Sequence, residues 1–240
     1  MVLESEEDTA PKTKPGQFAM AQVRQGTVPL LRRPLSYLHA DAKRIEFVYR
    51  VVGTGTRMLA GAMENDELRV FGPLGNGFDE SSVKSRALLV AGGMGIAPIY
   101  SLAMGLRARG VSNIEVVCGA RTSSELLFID KMKNAGLKLR LVTDDGSAGK
   151  RALASEEAAD AMKKTVPETV FACGPYPMLH AVAVSANRLG VPCQVSVEER
   201  MACGVGACLG CAIRVGEGYQ HVCCDGPVFN AVALFGSATK

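Results

Sequence analysis

Three cysteines stand close together near the end of this chain of 240 residues. Cys203, Cys208 and Cys211 form the pattern C-x4-C-x2-C, with three glycines between them. This spacing is typical of plant-type 2Fe–2S sites, and glycines let the backbone fold tightly around an inorganic centre. A 2Fe–2S site needs a fourth thiolate, and the adjacent residues Cys223 and Cys224 are both candidates for it.

Zinc is the competing interpretation of the same thiols. Structural zinc sites usually pair their ligands in two short knuckles, whereas three ligands here fall in one loop and the fourth arrives alone. A Rieske centre needs two histidines, and His221 is the one histidine near the cysteines. The spacing therefore favours an iron–sulfur cluster, with zinc and unliganded thiols as alternatives. The isolated Cys118, Cys173 and Cys193 are typical of small buried apolar residues.

Two glycine-rich turns are candidate phosphate sites. GGMGIAP, at residues 92–98, follows an apolar strand and leads into a helix, whose free N–H groups attract a phosphate. It lacks the G-x-G-x-x-G pattern, which argues against a standard Rossmann dehydrogenase. VGTGT, at residues 52–56, ends the predicted strand RIEFVYRVV and starts a helical segment, and a plain tight turn is its alternative. RRPLS, at residues 32–36, offers an arginine suited to a phosphate oxygen, although an exposed structural arginine is commoner.

The pattern along the chain predicts three units that position these loops. Residues 1–82 contain short extended segments separated by turn formers, which predicts an antiparallel β-barrel. Residues 83–196 alternate apolar strands with helices, which predicts a mostly parallel α/β sheet covered on both faces. Residues 197–240 form a small, loop-dominated lobe that is too short for its own core, so we expect it to depend on what its cysteines bind.

Two helices of the central unit have recognisable ends. One is expected to begin at a capping box formed by Thr122 and Glu125 and to end at Gly136. The other is expected to run from near Pro175 to Gly190.

Composition and charge exclude several classes of protein. The chain has 27 basic and 24 acidic residues, and the basic ones are scattered, so neither nucleic acid nor a membrane surface is an expected partner. The uncharged run over residues 87–106 is long enough to span a membrane, but its glycines and Pro98 divide it into strand, turn and helix. The acidic N-terminal segment does not resemble a signal peptide. Eight cysteines in such a chain favour metal ligands over disulfides.

Several segments, taken in order, resemble the electron-transfer subunits of NAD-dependent, two-subunit dihydroorotate dehydrogenase, a family within the ferredoxin–NADP reductase-like superfamily. They are RRPLS, VYRVVGTGT, GPLGNGF, AGGMGIAP, GAR, TDDGS, ACGP, EERMACGVGACLGC and VCCDGPVF. The likeness covers residues from about 15 to 235. Its first half is shared by the whole superfamily, and EERMACGVGACLGC is much more specific.

The resemblance implies a flavin-binding β-barrel, a nicotinamide-binding α/β domain and a C-terminal 2Fe–2S lobe. It implies an oxidoreductase subunit that receives electrons from an FMN-containing catalytic subunit oxidising dihydroorotate in pyrimidine biosynthesis. Electrons would pass through the 2Fe–2S cluster and FAD to NAD+, in a cytoplasmic α2β2 heterotetramer. Because the family has more sequence ahead of the KPGQF turn, we expect this barrel to lack its first strand.

The resemblance also assigns site residues. The residues expected beside FAD are Arg33, Pro34, Leu35, Ser36, Val48, Tyr49 and Arg50, with Gly55 and Thr56 at the pyrophosphate. Those expected to shape the nicotinamide nucleotide site are Gly92, Gly93, Gly95, Cys173, Gly174 and Pro175. The expected cluster ligands are Cys203, Cys208, Cys211 and Cys223, because the family has one variable residue before DGPVF and Cys224 occupies that position. No acid–base catalyst is assigned, and Ser36 and Cys173 are expected nearest the flavin and nicotinamide.

Two other functions stay open. One is a related flavin and iron–sulfur subunit serving another partner, such as a bifurcating NAD(P)H–ferredoxin reductase. The other is a non-enzymatic nucleotide-binding protein with a structural zinc. The choice between NAD and NADP is also open, because the acids of TDDGS and Arg121 of GAR both lie where ribose recognition is expected and favour opposite answers.

Overall fold

The first part of the chain forms a five-stranded antiparallel sheet. The computed structural model describes residues 1–4, 13–24, 26, 28–41 and 43–236. The strands are β1 (Val2–Glu4), β2 (Phe18–Gln22), β3 (Arg33–Ala40), β4 (Arg44–Phe47) and β5 (Arg69–Leu74), in the spatial order β1-β4-β3-β2-β5. Helix α1 (Thr54–Ala60) lies between β4 and β5 in the sequence. The antiparallel sheet is the one that the sequence predicts here, and the absence of a first barrel strand stays a prediction.

Strand β2 is buried on both faces, and this joins the barrel to the rest of the molecule. Successive side chains of a strand point to opposite faces. Ala19 and Ala21 pack in the barrel core, whereas Phe18 and Met20 pack in the core beneath the central sheet. The apolar run FAMA therefore serves two cores at once.

The central unit is a parallel sheet with helices on both faces, as the sequence predicts. Its strands are β6 (Arg86–Gly92), β7 (Asn113–Ala120), β8 (Lys138–Thr143), β9 (Lys150–Arg151), β10 (Thr169–Cys173) and β11 (Cys193–Ser196), in the order β11-β10-β6-β7-β8-β9. The helices are α2 (Ile96–Ala108), α3 (Ile129–Asn134), α4 (Ala154–Lys164) and α5 (Tyr176–Arg188). One face packs on α2 and α3 and the other on α4 and α5. The chain winds from β6 towards β9 and then returns to β10, so ligands are expected at the carboxyl ends of β6 and β10.

Two predicted elements differ from the structure. The strand expected over RIEFVYRVV ends at Phe47, and an irregular segment leads from there to α1. The helix expected from Thr122 to Gly136 is broken into a 3-10 turn over Ser123–Glu125 and the short α3. Phe128 interrupts it with a left-handed backbone, φ 61°, and its ring packs 5.0 Å from that of Tyr100. Packing of this half-buried ring against Tyr100 on α2 therefore overrides the local helix signal.

The C-terminal lobe shares the core of the central unit. It contains a hairpin of β12 (Ala212–Val215) and β13 (Gly218–His221), then β14 (Val228–Asn230) and α6 (Ala231–Phe235). Strand β14 pairs antiparallel with β11 and extends the central sheet to seven strands. Val222, Phe229 and Leu234 belong to the same buried cluster as residues of α4 and α5. The lobe thus obtains its core from its neighbour, and the unit boundaries at 82 and 196 stay predictions.

The uncharged run over residues 87–106 is divided between β6 and α2 by the glycine turn, as expected. Over the part of the chain that the structure describes, no helix combines the length and apolar character needed to cross a membrane. Residues 5–12 of the acidic N-terminal segment lie outside the described residues.

Candidate functional site

The four expected cluster cysteines are arranged as two pairs. The Cys203 thiol interacts with that of Cys208, and the Cys211 thiol with that of Cys223. The charge of Cys208 acts in turn on Cys211, so the two pairs are neighbours. Within the described residues, no three Cys, His, Asp or Glu side chains surround a single ion position. Two adjacent thiol pairs suit the two irons of a 2Fe–2S cluster better than one tetrahedral zinc.

The loop from Cys203 to Cys211, called the cluster loop below, directs backbone N–H groups at the thiols. The Val205 N–H donates to Cys203 Sγ at 3.4 Å, and the Gly206 N–H donates to Cys223 Sγ at 3.2 Å. Hydrogen bonds from the backbone of Val205 and Cys208 lower the pKa of the Cys203 thiol to about 6. Because iron binds the thiolate, the loop favours the ionised form that a cluster requires at Cys203, whereas burial raises the pKa of the Cys211 and Cys223 thiols.

The two adjacent cysteines occupy different environments. Cys223 is 1% exposed and faces Cys211, whereas Cys224 is exposed to solvent. Their sulfurs lie 3.7 Å apart. The Gly206 N–H reaches Cys223, and a methyl group on Gly206 would come within 2.9 Å of Cys224 Sγ. The buried member of the pair is therefore the one directed at the other cluster thiols.

The cluster loop rests directly on the barrel. Gly204 has φ +76°, and a Cβ there would lie 2.8 Å from Met20 Cγ on β2 and 3.1 Å from Leu74 Cδ1 on β5. The Asn76 side chain donates to the carbonyl oxygens of Cys224 at 3.2 Å and Asp225 at 2.9 Å. The segment GPLGNGF, which sequence reasoning left without a role, thus fixes the turn beside the fourth cysteine.

A groove separates the exposed rim of the barrel from the cluster loop. It has a volume of about 550 Å³. Its lining consists of Leu30, Leu31, Arg32, Phe71, Ala202, Cys203 and Val205. The groove is mostly apolar, and it brings a cluster cysteine next to the segment that leads into β3.

The residues expected beside FAD come together at the start of β3 and α1. The Arg33 guanidinium lies against Gly55, where a Cβ would come within 2.7 Å of Arg33 Cζ, so a larger residue would displace the guanidinium from this position. Leu35 is buried in the barrel core and Ser36 is half-buried on the opposite face of β3. The cationic Arg33 at the amino end of α1 suits the negative pyrophosphate of a dinucleotide.

The Thr56 hydroxyl is used within its own turn. It accepts hydrogen bonds from the N–H groups of Val52 at 2.9 Å and Gly53 at 3.1 Å, and it donates to the Gly53 carbonyl oxygen. These hydrogen bonds of the Thr56 hydroxyl therefore stabilise the VGTGT turn next to Arg33. Of the neighbouring segment, Val48 and Tyr49 are half-buried, and burial raises the pKa of Tyr49.

The loops after β6 and β10 interlock at the predicted edge of the sheet. A methyl group on Gly95 would overlap the Cys173 carbonyl oxygen, and one on Gly92 would come within 2.9 Å of Pro175 Cδ. A methyl group on Gly174 would likewise come within 3.0 Å of Gly92 Cα. These glycines let two backbones touch, and the structure brings the predicted nucleotide residues of both loops together. Gly93, with φ +55°, instead faces open space.

Cys173 lies at the floor of this edge as a neutral thiol. Burial raises the pKa of the Cys173 thiol to about 12. The nearby charge of Glu198 also raises this pKa, and a hydrogen bond with Ser196 lowers it. A thiol with this pKa is a poor nucleophile at neutral pH. Cys173 therefore contributes shape and polarity to the edge.

Two residues near this edge were missed by sequence reasoning. The sulfur of Met178 on α5 lies next to Gly92. In the sequence, Met178 has the pattern of an ordinary core residue of a helix, so nothing indicated a place at this edge. Glu125 was expected to cap a helix, but its carboxylate forms ion pairs with Arg121 and Arg50. The Thr122 hydroxyl pairs with Ser124 instead of capping a helix, so the predicted capping box is wrong.

Comparisons with known proteins define the class. Residues 89–183 match the family model of the oxidoreductase NAD-binding domain, and residues 198–235 match that of the iron–sulfur cluster binding domain of dihydroorotate dehydrogenase B. The structure of an NADH-dependent reduced ferredoxin–NADP oxidoreductase superposes with a TM-score of 0.83, at 30% identity over 99% of this chain and 86% of that chain. The ferredoxin reductase of carbazole 1,9a-dioxygenase shares the fold, with a TM-score of 0.63 at 23% identity over 80% of this chain and 60% of that one. The protein is thus an NAD-linked flavin and iron–sulfur oxidoreductase.

Curated relatives narrow the class to one family. The dihydroorotate dehydrogenase B (NAD(+)) electron transfer subunit of Geobacillus kaustophilus is 42% identical over 228 residues, which is 91% of this chain and 85% of the relative. The subunit of the same name from Clostridium acetobutylicum is 35% identical over 218 residues, again 91% and 85% of the two chains. The chain belongs to the family of dihydroorotate dehydrogenase B electron transfer subunits. The family resemblance seen in the sequence and the expected 2Fe–2S cluster, FAD and NAD are thereby confirmed.

Proposed function

We propose that this chain accepts electrons from an FMN-containing subunit that oxidises dihydroorotate and delivers them to NAD+. The observation that carries the proposal is the placement of the cluster loop on β2 and β5, next to the barrel strand β3. A cluster exchanges single electrons and nicotinamide exchanges a hydride, so a flavin that does both belongs between them. The contact supports an order in which the cluster lies on the barrel side and the nucleotide loops lie at the sheet edge.

The cluster ligands in this proposal are Cys203 and Cys208 for one iron and Cys211 and Cys223 for the other. The thiol pairs support this assignment, and so does the burial of Cys223 against the exposure of Cys224. The N–H groups of the loop would stabilise thiolate charge. The packing of Gly204 on the barrel would hold the ligands close to the flavin.

The flavin and nucleotide residues in this proposal bind and orient and do not transfer protons to a pyrimidine. Arg33, together with the amino end of α1 at Gly55, would bind the FAD pyrophosphate, and Ser36 would face the isoalloxazine. The interlocked glycine loops around Gly95 and Cys173 would leave a backbone surface that the nicotinamide nucleotide can approach closely. The chain supplies binding, orientation and redox tuning.

Reconstitution tests the proposal directly. The purified chain, carrying FAD and cluster, should reduce a dye with NADH but should form no orotate from dihydroorotate. Adding the FMN-containing subunit should produce NADH from dihydroorotate and NAD+, and the mixture should elute with the mass of an α2β2 heterotetramer. The native complex should be recovered from the cytoplasmic fraction of the cell. Orotate formation by the chain alone would contradict the proposal.

A second candidate is a subunit of an NADH-dependent ferredoxin–NADP oxidoreductase. The 30% identity and TM-score of 0.83 to such a protein over nearly the whole chain favour it. Isolation of the native complex discriminates the two, because the second candidate requires a partner that reacts with ferredoxin and NADP. NADH production from dihydroorotate in that isolated complex supports the first.

A further inference from the structure

One carboxylate joins two arginines from different units of the molecule. Glu125 Oε1 lies 2.5 Å from Arg121 Nη2, and its Oε2 lies 3.3 Å from Arg121 Nε. The same Oε2 lies 3.3 Å from Nη2 of Arg50, which belongs to the segment between β4 and α1. Glu125 therefore binds Arg121 through two nitrogens and also reaches the flavin barrel.

The pairing alters the charge that Arg121 offers to a ligand. The hydrogen bond and charge of Glu125 raise the pKa of Arg121, and the hydrogen bond from Arg121 lowers the pKa of Glu125. Both groups are thus ionised, and each is matched by the other. A planar guanidinium that binds one carboxylate through two nitrogens has fewer donors left for a second anion.

This carboxylate lies at the nucleotide edge, the edge of the central sheet formed by the carboxyl ends of β6, β7 and β10. Glu125 lines a small cavity with Gly93 of the glycine turn after β6 and Gly119 of β7. The loop that carries Glu125 is also tied to TDDGS. The Ser123 N–H donates to Ser147 Oγ at 2.7 Å, and Ser147 Oγ donates to Asp145 Oδ1 at 2.6 Å.

The acids of TDDGS stand on the same side as Arg121. The Asp145 N–H donates to the Arg121 carbonyl oxygen, and the charge of Asp144 acts on the Arg121 guanidinium. Arg121 and Arg50 both pair with the Glu125 carboxylate, and Arg151 Nε donates to the Asp144 carbonyl oxygen at 3.2 Å, so basic and acidic side chains are mixed here. In the sequence, Arg121 and the two acids favoured opposite nucleotides, and the structure separates them by showing that Arg121 is already paired with Glu125.

We propose that Glu125 determines the preference for NAD over NADP by occupying Arg121. The proposal rests on the function proposed above, in which NAD+ is the electron acceptor. Carboxylates accept hydrogen bonds from ribose hydroxyls, whereas a 2′-phosphate needs a free arginine. With Glu125 in place, an incoming 2′-phosphate meets a matched ion pair and two further acids. With Glu125 neutralised, Arg121 becomes available to the 2′-phosphate.

The test is the ratio of kcat/KM for NADH to kcat/KM for NADPH in dye reduction by the chain carrying FAD and cluster. In the unaltered chain the ratio should favour NADH. Glu125→Gln keeps the size of the side chain and removes its charge, and it should shift the ratio towards NADPH by about tenfold, as expected for gaining one charge-assisted contact. Glu80→Gln, which loses the ion pair with Arg109 on another surface, is the matched control and should leave the ratio unchanged.

Two arginine variants make the test specific. Arg121→Ala alone should change the ratio by less than about twofold, because Arg121 is occupied in the unaltered chain. Arg121→Ala combined with Glu125→Gln should abolish the gain in NADPH use. FAD absorbance per chain, measured for each variant, separates these effects from a loss of flavin through Arg50.

Several outcomes would overturn the proposal. They are an unaltered chain that prefers NADPH, a Glu125→Gln ratio equal to that of the unaltered chain, a gain that survives Arg121→Ala, and a loss of NADPH use on Arg121→Ala alone. A chain with full FAD that reduces no dye with either nucleotide would instead contradict the proposed function. The two failures are therefore distinguishable.

Discussion

The cluster loop and the nucleotide edge solve the problem of building a site in opposite ways. The cluster loop places three of its four thiols within nine residues, Cys203 to Cys211, and recruits one more from a nearby turn. The nucleotide edge draws Gly95, Glu125 and Cys173 from the ends of three strands that are far apart in the chain. The first site is formed mainly by one short segment, whereas the second forms only when the sheet brings distant loops together.

This difference shows in what each site depends on. In the cluster loop, the N–H groups of Val205 and Cys208, two and five residues from Cys203, donate to its thiol and lower its pKa. At the nucleotide edge, backbone touches backbone between loops that follow β6 and β10, so a single added methyl group acts across the sheet. We therefore expect ligand substitutions to decide the first site and steric substitutions to decide the second.

The largest expected effect separates the adjacent cysteines. Cys223→Ser should remove or severely disturb the visible absorption and reduced-state electron paramagnetic resonance of the cluster, because a buried thiolate ligand is lost. Cys224→Ser should leave both spectra nearly intact, because its thiol is exposed to solvent. Iron content per chain provides an independent measurement. If the two effects are reversed, Cys224 is the ligand and the fourth thiol is recruited from the surface.

A methyl group at the nucleotide edge should have the next largest effect. Gly95→Ala would overlap the Cys173 carbonyl oxygen, and since both groups are backbone neither can rotate away. We expect a loss of about 3 kcal/mol in the free energy of unfolding and a raised KM for NADH, measured by denaturant unfolding and dye reduction.

The matched control for this substitution is Gly93→Ala. Gly93 faces open space, but it has a positive φ, so the change should cost about 1 kcal/mol of conformational strain. Equal losses for the two variants would mean that the contact between the loops is not what requires glycine at residue 95.

The smallest expected effect concerns thiol reactivity and its dependence on pH. Burial raises the pKa of Cys118, Cys173 and Cys193 to about 12. At pH 8 only about one in ten thousand of each would be thiolate, and this fraction should rise tenfold per pH unit until the pH nears 12. Brief alkylation of the cluster-loaded chain at pH 8, read by peptide mass spectrometry, should therefore label Cys224 and spare these three. Labelling of Cys173 as fast as Cys224 would show that the floor of the nucleotide edge is open to solvent.

The sequence alone predicted the features that depend on short stretches of the chain. The spacing of Cys203, Cys208 and Cys211 indicated the kind of cluster, and the alternation of apolar strands with helices indicated the parallel sheet. Family resemblance then assigned roles to individual residues. Where a local signal competed with packing, the prediction failed, as at Thr122, because the half-buried Phe128 adopts a left-handed backbone and packs against the core.

The tertiary structure decided how distant segments meet. Sequence reasoning could not show that β2 serves two cores, or that Asn76 fixes the turn beside Cys224. Nor could it show that Glu125 binds Arg121 and Arg50, because that contact depends on the barrel and the central sheet being packed together. The sequence determined which groups this protein has for metal and nucleotide chemistry. The packing of the units determined which of those groups are free to act, because charge pairing and steric contact depend on distances that spacing along the chain does not contain.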